Sequence, residues 1–175
     1  KSNIGVVFGE IDYYELKKVS TITSITKKFY KNWDEKLYRT YLETFNIDSS
    51  KRIKELSAGM KVKYQIAVAL SHNAKLLILD EPTSGLDPVS REELLTLFMY
   101  LAQTKKISIL FSTHITSDLE KCANTITYIK DGNLIASMEK TKFIKHFQYL
   151  KTSPTEPDLS LEEIMIKNER CSYDF

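Results

Sequence analysis

The chain has 175 residues, 42% of them apolar, and a net charge of +2 from 25 basic and 23 acidic side chains. That is enough apolar material for one medium-sized core, and the near-neutral balance gives no sign of a nucleic-acid or polyanion binder. No window approaches the ~18 apolar residues of a membrane span, the start Lys1-Ser2-Asn3-Ile4-Gly5 does not read as a signal peptide, and two cysteines outside any CxxC, Cys122 and Cys171, exclude a disulfide scaffold or a cysteine-rich zinc site.

In chain order, Asn3 to Phe8 is short, apolar and β-branched and reads as a strand that starts with no preceding cap or turn. A polar and aromatic connector, Gly9 to Glu15, follows. Val19, Ile22, Ile25, Phe29 and Tyr30 fall at helical spacing; then Asp34 can cap a second helix whose apolar face is Leu37, Tyr38, Tyr41, Leu42 and Phe45. Asn46 to Ser50 reads as a turn, and Lys51 to Leu56 as basic and mostly exposed. A third helix opens at Ser57-Ala58-Gly59 and ends near His72-Asn73. Leu76 to Leu79 is an apolar run ending on two acids, as a buried parallel strand reads. Pro88 to about Gln103 predicts a helix with proline in its first turn, Ile107 to Phe111 a second buried strand, and Thr116 to Cys122 a short helix. Thr125 to Ile129 and Leu134 to Ser137 flank Asp131-Gly132, a hairpin signal. Glu139 to Leu150 reads as helical, Ser153 to Pro157 as a linker and Leu159 to Lys167 as a last helix. Strands alternating with helices predict an α/β fold with a mostly parallel sheet covered on both faces.

Chemistry concentrates in three places. The run Leu76 to Asp87 delivers Asp80 and Glu81 to the carboxyl end of a strand, the edge where ligands bind in open α/β sheets. Adjacent side chains on a strand point opposite ways, so one acid can stand behind Mg²⁺ and the other beside an attacking water. Leu56-Ser57-Ala58-Gly59-Met60 precedes a long helix; small residues and a helix N-terminus suit a phosphate, although a serine there also serves simply as an N-cap. After the second buried strand comes Ser112-Thr113-His114, where a histidine can meet a γ-phosphate or its water, or be an ordinary surface residue.

In this order the motifs resemble the ATP-binding domain of ABC transporters, a P-loop NTPase-like fold with a helical subdomain, and the likeness runs from Ile4 to about Ser137. Leu56 to Met60 looks like the signature LSGGQ, Asp80 and Glu81 like the Walker B acid and catalytic glutamate, Ser84 to Asp87 like the D-loop and His114 like the switch histidine. The resemblance implies an ATP hydrolase with ATP and Mg²⁺ as ligands. Catalysis falls to Glu81 and His114, metal binding to Asp80 and Glu10, and nucleotide contact to Ser57, Ala58, Gly59, Met60 and Asp87. It implies a homo- or heterodimer in which two such domains pair head to tail and drive transmembrane permease subunits, with no nucleic acid as partner, on the cytoplasmic face of the cell membrane. The connector and the signature are most similar to those of simple bacterial exporters. Residues 1–150 are then a partial ATP-binding domain with a helical subdomain at about 17–72, and 151–175 a linker and C-terminal helix.

The sequence also departs from that pattern. No glycine is followed by lysine, so the Walker A loop G-x-x-x-x-G-K-[ST] is absent, the N-terminal part of such a domain is not represented, and the chain alone is expected to be inactive. The Q-loop glutamine is replaced by Glu10 or, in another alignment, Gly9; Glu10 also reads as a plain loop acid. Ala58 and Met60 replace a glycine and a glutamine of the signature; the Lys61-Val62-Lys63 run after it is basic where the family often carries arginine, and Lys63 reads equally well as a solvated helix face. In the family the helical segment, here about Lys17 to Leu56, docks the membrane subunit. Of its aromatic residues and those of the connector, Tyr30, Trp33, Tyr38 and Tyr41 read mainly as a small core, whereas Tyr13 and Tyr14 are interface candidates. Two other readings remain: a soluble ABC-type ATPase acting on nucleic acid or ribosomes, which the absence of tandem domains and coiled-coil insertions disfavours, and a degenerate regulatory domain, which the intact Asp80, Glu81, Asp87 and His114 disfavour.

Overall fold

The computed structural model describes residues 3–8, 14–153 and 155–169, so Gly9, Glu10, Tyr13 and Cys171 lie outside the described residues. The chain divides into two compact units, Lys1–His114 and Ile115–Phe175.

The first unit is built on three parallel strands, β1 (Ile4–Phe8), β2 (Leu76–Asp80) and β3 (Ser108–Phe111), in the order β1-β2-β3. Leu79 of β2 pairs with Val7 on one side and Phe111 on the other. Gly5, Val7, Leu77 and Leu79 are buried on one face, against which α3 (Ala58–Ser71) and α4 (Pro88–Gln103) pack. Gly5 is required by that packing, because a Cβ there would stand 2.4 Å from the Ala69 Cβ. The expectation of a sheet covered on both faces is corrected: the alternate residues Ile4, Val6, Phe8 and Leu110 are exposed, Val6 at 50% and Leu110 at 59%. Strand alternation sends these side chains away from α3 and α4.

Between β1 and α3 lie α1 (Val19–Thr26) and α2 (Glu35–Thr44). Asp34 caps α2 by accepting from the Leu37 N–H at 2.9 Å. A buried hydroxyl network ties three helices together: Thr23 Oγ1 on α1 is 2.7 Å from the Tyr38 hydroxyl on α2 and 2.9 Å from the Tyr64 hydroxyl on α3. Burial pushes both phenols above their ordinary pKa, so they stay neutral and able to donate. Glu35 accepts from Trp33 Nε1 at 3.0 Å and from Lys27 at 3.1 Å; these two bonds, the tryptophan's first, hold its carboxyl below the usual range. Residues 51–56 are mostly exposed, as expected, with every charged side chain in solvent; Ile53, in the 3₁₀ turn Ile53–Glu55, and Leu56 are buried, and the loop backbone bonds back to the residues around the start of α1.

The second unit holds α5 (Thr116–Cys122), the antiparallel hairpin β4 (Thr125–Lys130) and β5 (Asn133–Glu139), α6 (Lys140–His146) and α7 (Leu161–Glu169). Asp131 and Gly132 take φ of 49° and 75°, the left-handed pair that a two-residue hairpin turn requires. Ile126, Tyr128, Phe143, Phe147, Leu159 and Ile164 form its core. Ser160 and Glu163 exchange capping bonds, which starts α7 at Leu161 although Leu159 is already buried. Among the described residues no helix is long and apolar enough to cross a membrane.

Candidate functional site

The carboxyl ends of β2 and β3 bring the strand-end residues together. β2 delivers Asp80 as its last residue, and Glu81 follows with φ of 44°, a left-handed backbone unusual for a residue carrying a side chain. Beyond β3, Ser112 donates its hydroxyl proton to Asp80 Oδ1 at 2.7 Å and accepts from the Glu81 N–H at 3.0 Å. His114, two residues further, places Nδ1 3.0 Å from Glu81 Oε2, a contact that becomes an ion pair when the imidazole is protonated. Glu81 Oε2 is buried, and apart from this contact with His114 it accepts no hydrogen bond among the described residues. His114 is largely exposed.

The residues of the other two motifs lie together at neighbouring helix starts. Ser57 is the N-cap of α3, accepting from the Met60 N–H at 3.2 Å. Capping uses a lone pair, so the hydroxyl proton remains available to an anion. Asp87 is the N-cap of α4; Oδ1 accepts from the Val89 and Ser90 N–H groups at 3.0 Å, and the bonds from Ser90 hold its carboxyl below the ordinary range. Gly59 is buried against α4, where an added Cβ would lie 3.1 Å from that of Ser90. Lys63 pairs with Glu93 at 2.6 Å, binding the two helices side by side. Ala58 is exposed and Met60 half-buried. Gly85 takes φ of 68° in the turn between the acids and α4.

Three of the predicted residues, Asp80, Glu81 and His114, therefore share one site; Ser57, Ala58, Gly59, Met60 and Asp87 share a second; Glu10 lies outside the described residues. The residue that sequence reasoning passed over is Ser112. Its signal was available: a hydroxyl placed directly after an apolar strand, level with the acid that ends the neighbouring strand, although β3 itself, expected to be buried, has only exposed and half-buried residues. Among the described residues no group of three or more His, Cys, Asp and Glu is placed to hold a metal ion. Such a trio is not needed for Mg²⁺, which keeps waters and binds through one or two carboxylates plus phosphate oxygens. Asp80, exposed at the strand end with one oxygen fixed by Ser112, fits that part.

A family profile described as "AAA domain, putative AbiEii toxin, Type IV TA system" matches residues 22–117, more than half of the chain. The chain is 27% identical over 149 residues to the ABC transporter ATP-binding protein YtrB of Bacillus subtilis (strain 168), covering 83% of this chain and 51% of YtrB. The chain belongs to the family of ABC ATP-binding domains. This ABC domain is also 41% identical over 88 residues to the bacitracin transport ATP-binding protein BcrA of Bacillus licheniformis, covering 50% of the chain and 29% of BcrA. It superposes on the solved ATP-binding subunit of an ABC transporter with a TM-score of 0.73 and 24% identity, over 95% of this chain and 68% of that one, a likeness of fold. The ABC domain thus spans about half the length, or less, of these curated relatives.

Proposed function

We propose that this chain is part of the ATP-hydrolysing subunit of an ABC transporter. The observation that carries the reading is the placement of the Glu81 carboxylate against the His114 imidazole, beside Asp80, at the carboxyl edge of the sheet. Glu81 acts as general base: Oε2 takes a proton from the water that attacks the γ-phosphate, and ADP and phosphate are the products. His114 holds Glu81 in place and donates to a phosphate oxygen when protonated. Asp80 would hold Mg²⁺, which offsets phosphate charge when bound.

The α3 N-terminus, with Ser57 and the first-turn N–H groups of Ala58, Gly59 and Met60, faces the phosphates of a nucleotide held by a second ABC domain, and Asp87 lies beside it at the same interface. That partner is a second copy or a different subunit. The 175 residues contain no Gly-Lys phosphate loop, so the chain by itself binds ATP weakly and does not turn it over. Transmembrane permease subunits dock on the helical segment and the stretch just before it, where Tyr14, Leu16, Ile25 and Phe29 are exposed, Phe29 at 80%. The likeness to BcrA, a bacitracin transport ATP-binding protein, supports a role in transport. The test is ATP hydrolysis by the natural full-length protein with and without Glu81→Gln.

A further inference from the structure

We propose that Ser112 is a positioning residue that sets the placement of both acids at the end of β2. The inference rests on the reading above that Asp80 and Glu81 serve ATP hydrolysis, and it adds a residue to which none of the motifs assigned a role.

Three bonds run from this one residue to three consecutive residues of the neighbouring strand and its exit. The Ser112 N–H donates to the Leu79 carbonyl at 3.0 Å, carrying the parallel ladder one step past Phe111. Its Oγ donates to Asp80 Oδ1 at 2.7 Å and accepts from the Glu81 N–H at 3.0 Å. A hydroxyl has one proton and two lone pairs, so these two side-chain bonds are compatible and fix the rotor. Both lengths, 2.7 Å for the O–H···O bond and 3.0 Å for the N–H···O bond, are ordinary for their donor types.

The consequences differ for the two acids. For Asp80 the hydroxyl engages one oxygen and fixes the carboxylate's rotation, so an incoming cation meets an oriented acid. For Glu81 it satisfies the amide exactly where the backbone turns left-handed, φ 44°, a conformation that persists only when its surroundings hold it. That turn carries the side chain of Glu81 to His114 Nδ1, 3.0 Å away. Ser112 and His114 are two residues apart, and both reach the end of β2. The segment after β3 therefore meets Glu81 twice, once at the backbone amide and once at the carboxylate.

The test uses the natural full-length protein with Ser112→Ala and Ser112→Thr. Ser112→Ala is expected to lower kcat about tenfold, as loss of an orienting contact does, with KM for ATP unchanged; Ser112→Thr, which keeps the hydroxyl, restores most of kcat. In the nucleotide-free protein, amide hydrogen exchange at Glu81 is expected to quicken in Ser112→Ala and to stay near wild type in Ser112→Thr. Wild-type kcat and exchange in Ser112→Ala overturn the proposal, as does a fall in kcat that Ser112→Thr shares. Glu81→Gln run in parallel separates the two levels. If Glu81→Gln is inactive and Ser112→Ala is normal, only the role of Ser112 fails; if Glu81→Gln turns over normally, the reading beneath it fails.

Discussion

At Gly5 the approach of α3 to β1 leaves no room for a methyl group, since the Cβ of an alanine there would meet the Ala69 Cβ at 2.4 Å and Leu77 Cδ2 at 2.9 Å. The leucine end can rotate away, but the Ala69 methyl is fixed to the helix backbone. Gly5→Ala is therefore expected to destabilise the protein by about 1–3 kcal/mol, the usual cost of overpacking a filled core. Adding Ala69→Gly should recover part of that loss, and thermal unfolding of the single and double variants measures it. At this same scale the site was half legible. Asp80, Glu81 and His114 could be read as chemistry because each follows an apolar run. What joins them was not legible: the left-handed turn at Glu81 and the register of β3 against β2 arise only when both strands are in place. Ser57 and Asp87 show the opposite difficulty, since the residue types that favour anion contact at a helix start are those that cap it, and both do cap.

Among the elements, α7 is held to its own unit partly by charge. Lys167 donates to Glu156 Oε1 at 3.0 Å, and the Thr152 N–H donates to Oε2 at 2.6 Å. Together, the lysine's bond first, they lower the Glu156 carboxyl from 4.5 to about 2. A carboxyl with a depressed folded-state pKa adds stability that is full above its unfolded value of 4.5 and is lost as pH falls through about 2. Thermal melts of wild type and Glu156→Gln should thus differ at neutral pH and converge as the pH drops from about 4.5 towards 2. Within the stretch read as a linker, Ser153 to Pro157, Glu156 is tied down by these bonds, which composition does not reveal: serine and proline mark a turn but not what its acid will meet.

The helical elements α1 and α2 carry a second expectation. Ile25 and Phe29 are exposed at one end of the segment while Thr23, Tyr38 and Tyr64 close its interior. Replacing both exposed residues with alanine should weaken co-purification of the full-length protein with its membrane subunits and leave ATP hydrolysis near wild type. Undiminished co-purification would place docking elsewhere. The reading of Tyr38 as core follows from its place on the apolar face of α2, whereas the exposure of Ile25 and Phe29 breaks the helical pattern that grouped them with Val19.

For the molecule as a whole, order and kind of elements were legible because apolar period, caps and turn residues agree along most of the chain. The burial of the sheet was not. Alternating strands and helices predict helices on both faces, but α3 and α4 pack on one, and Ile4, Val6, Phe8 and Leu110 line the other. Strand runs that are apolar on both faces look the same in sequence whether or not each face is covered. The family assignment is independent of that question, because it rests on the profile match over residues 22–117 and on the sequence relatives rather than on the covering of the sheet.

The central claim is that Glu81, set against His114 beside Asp80, is the general base of an ATP hydrolase. ATP hydrolysis by the purified full-length protein and its Glu81→Gln form tests it most directly. The account predicts turnover in the wild type and a loss of about 100-fold or more in kcat for Glu81→Gln, with ATP binding retained. Equal turnover by the two proteins would contradict it.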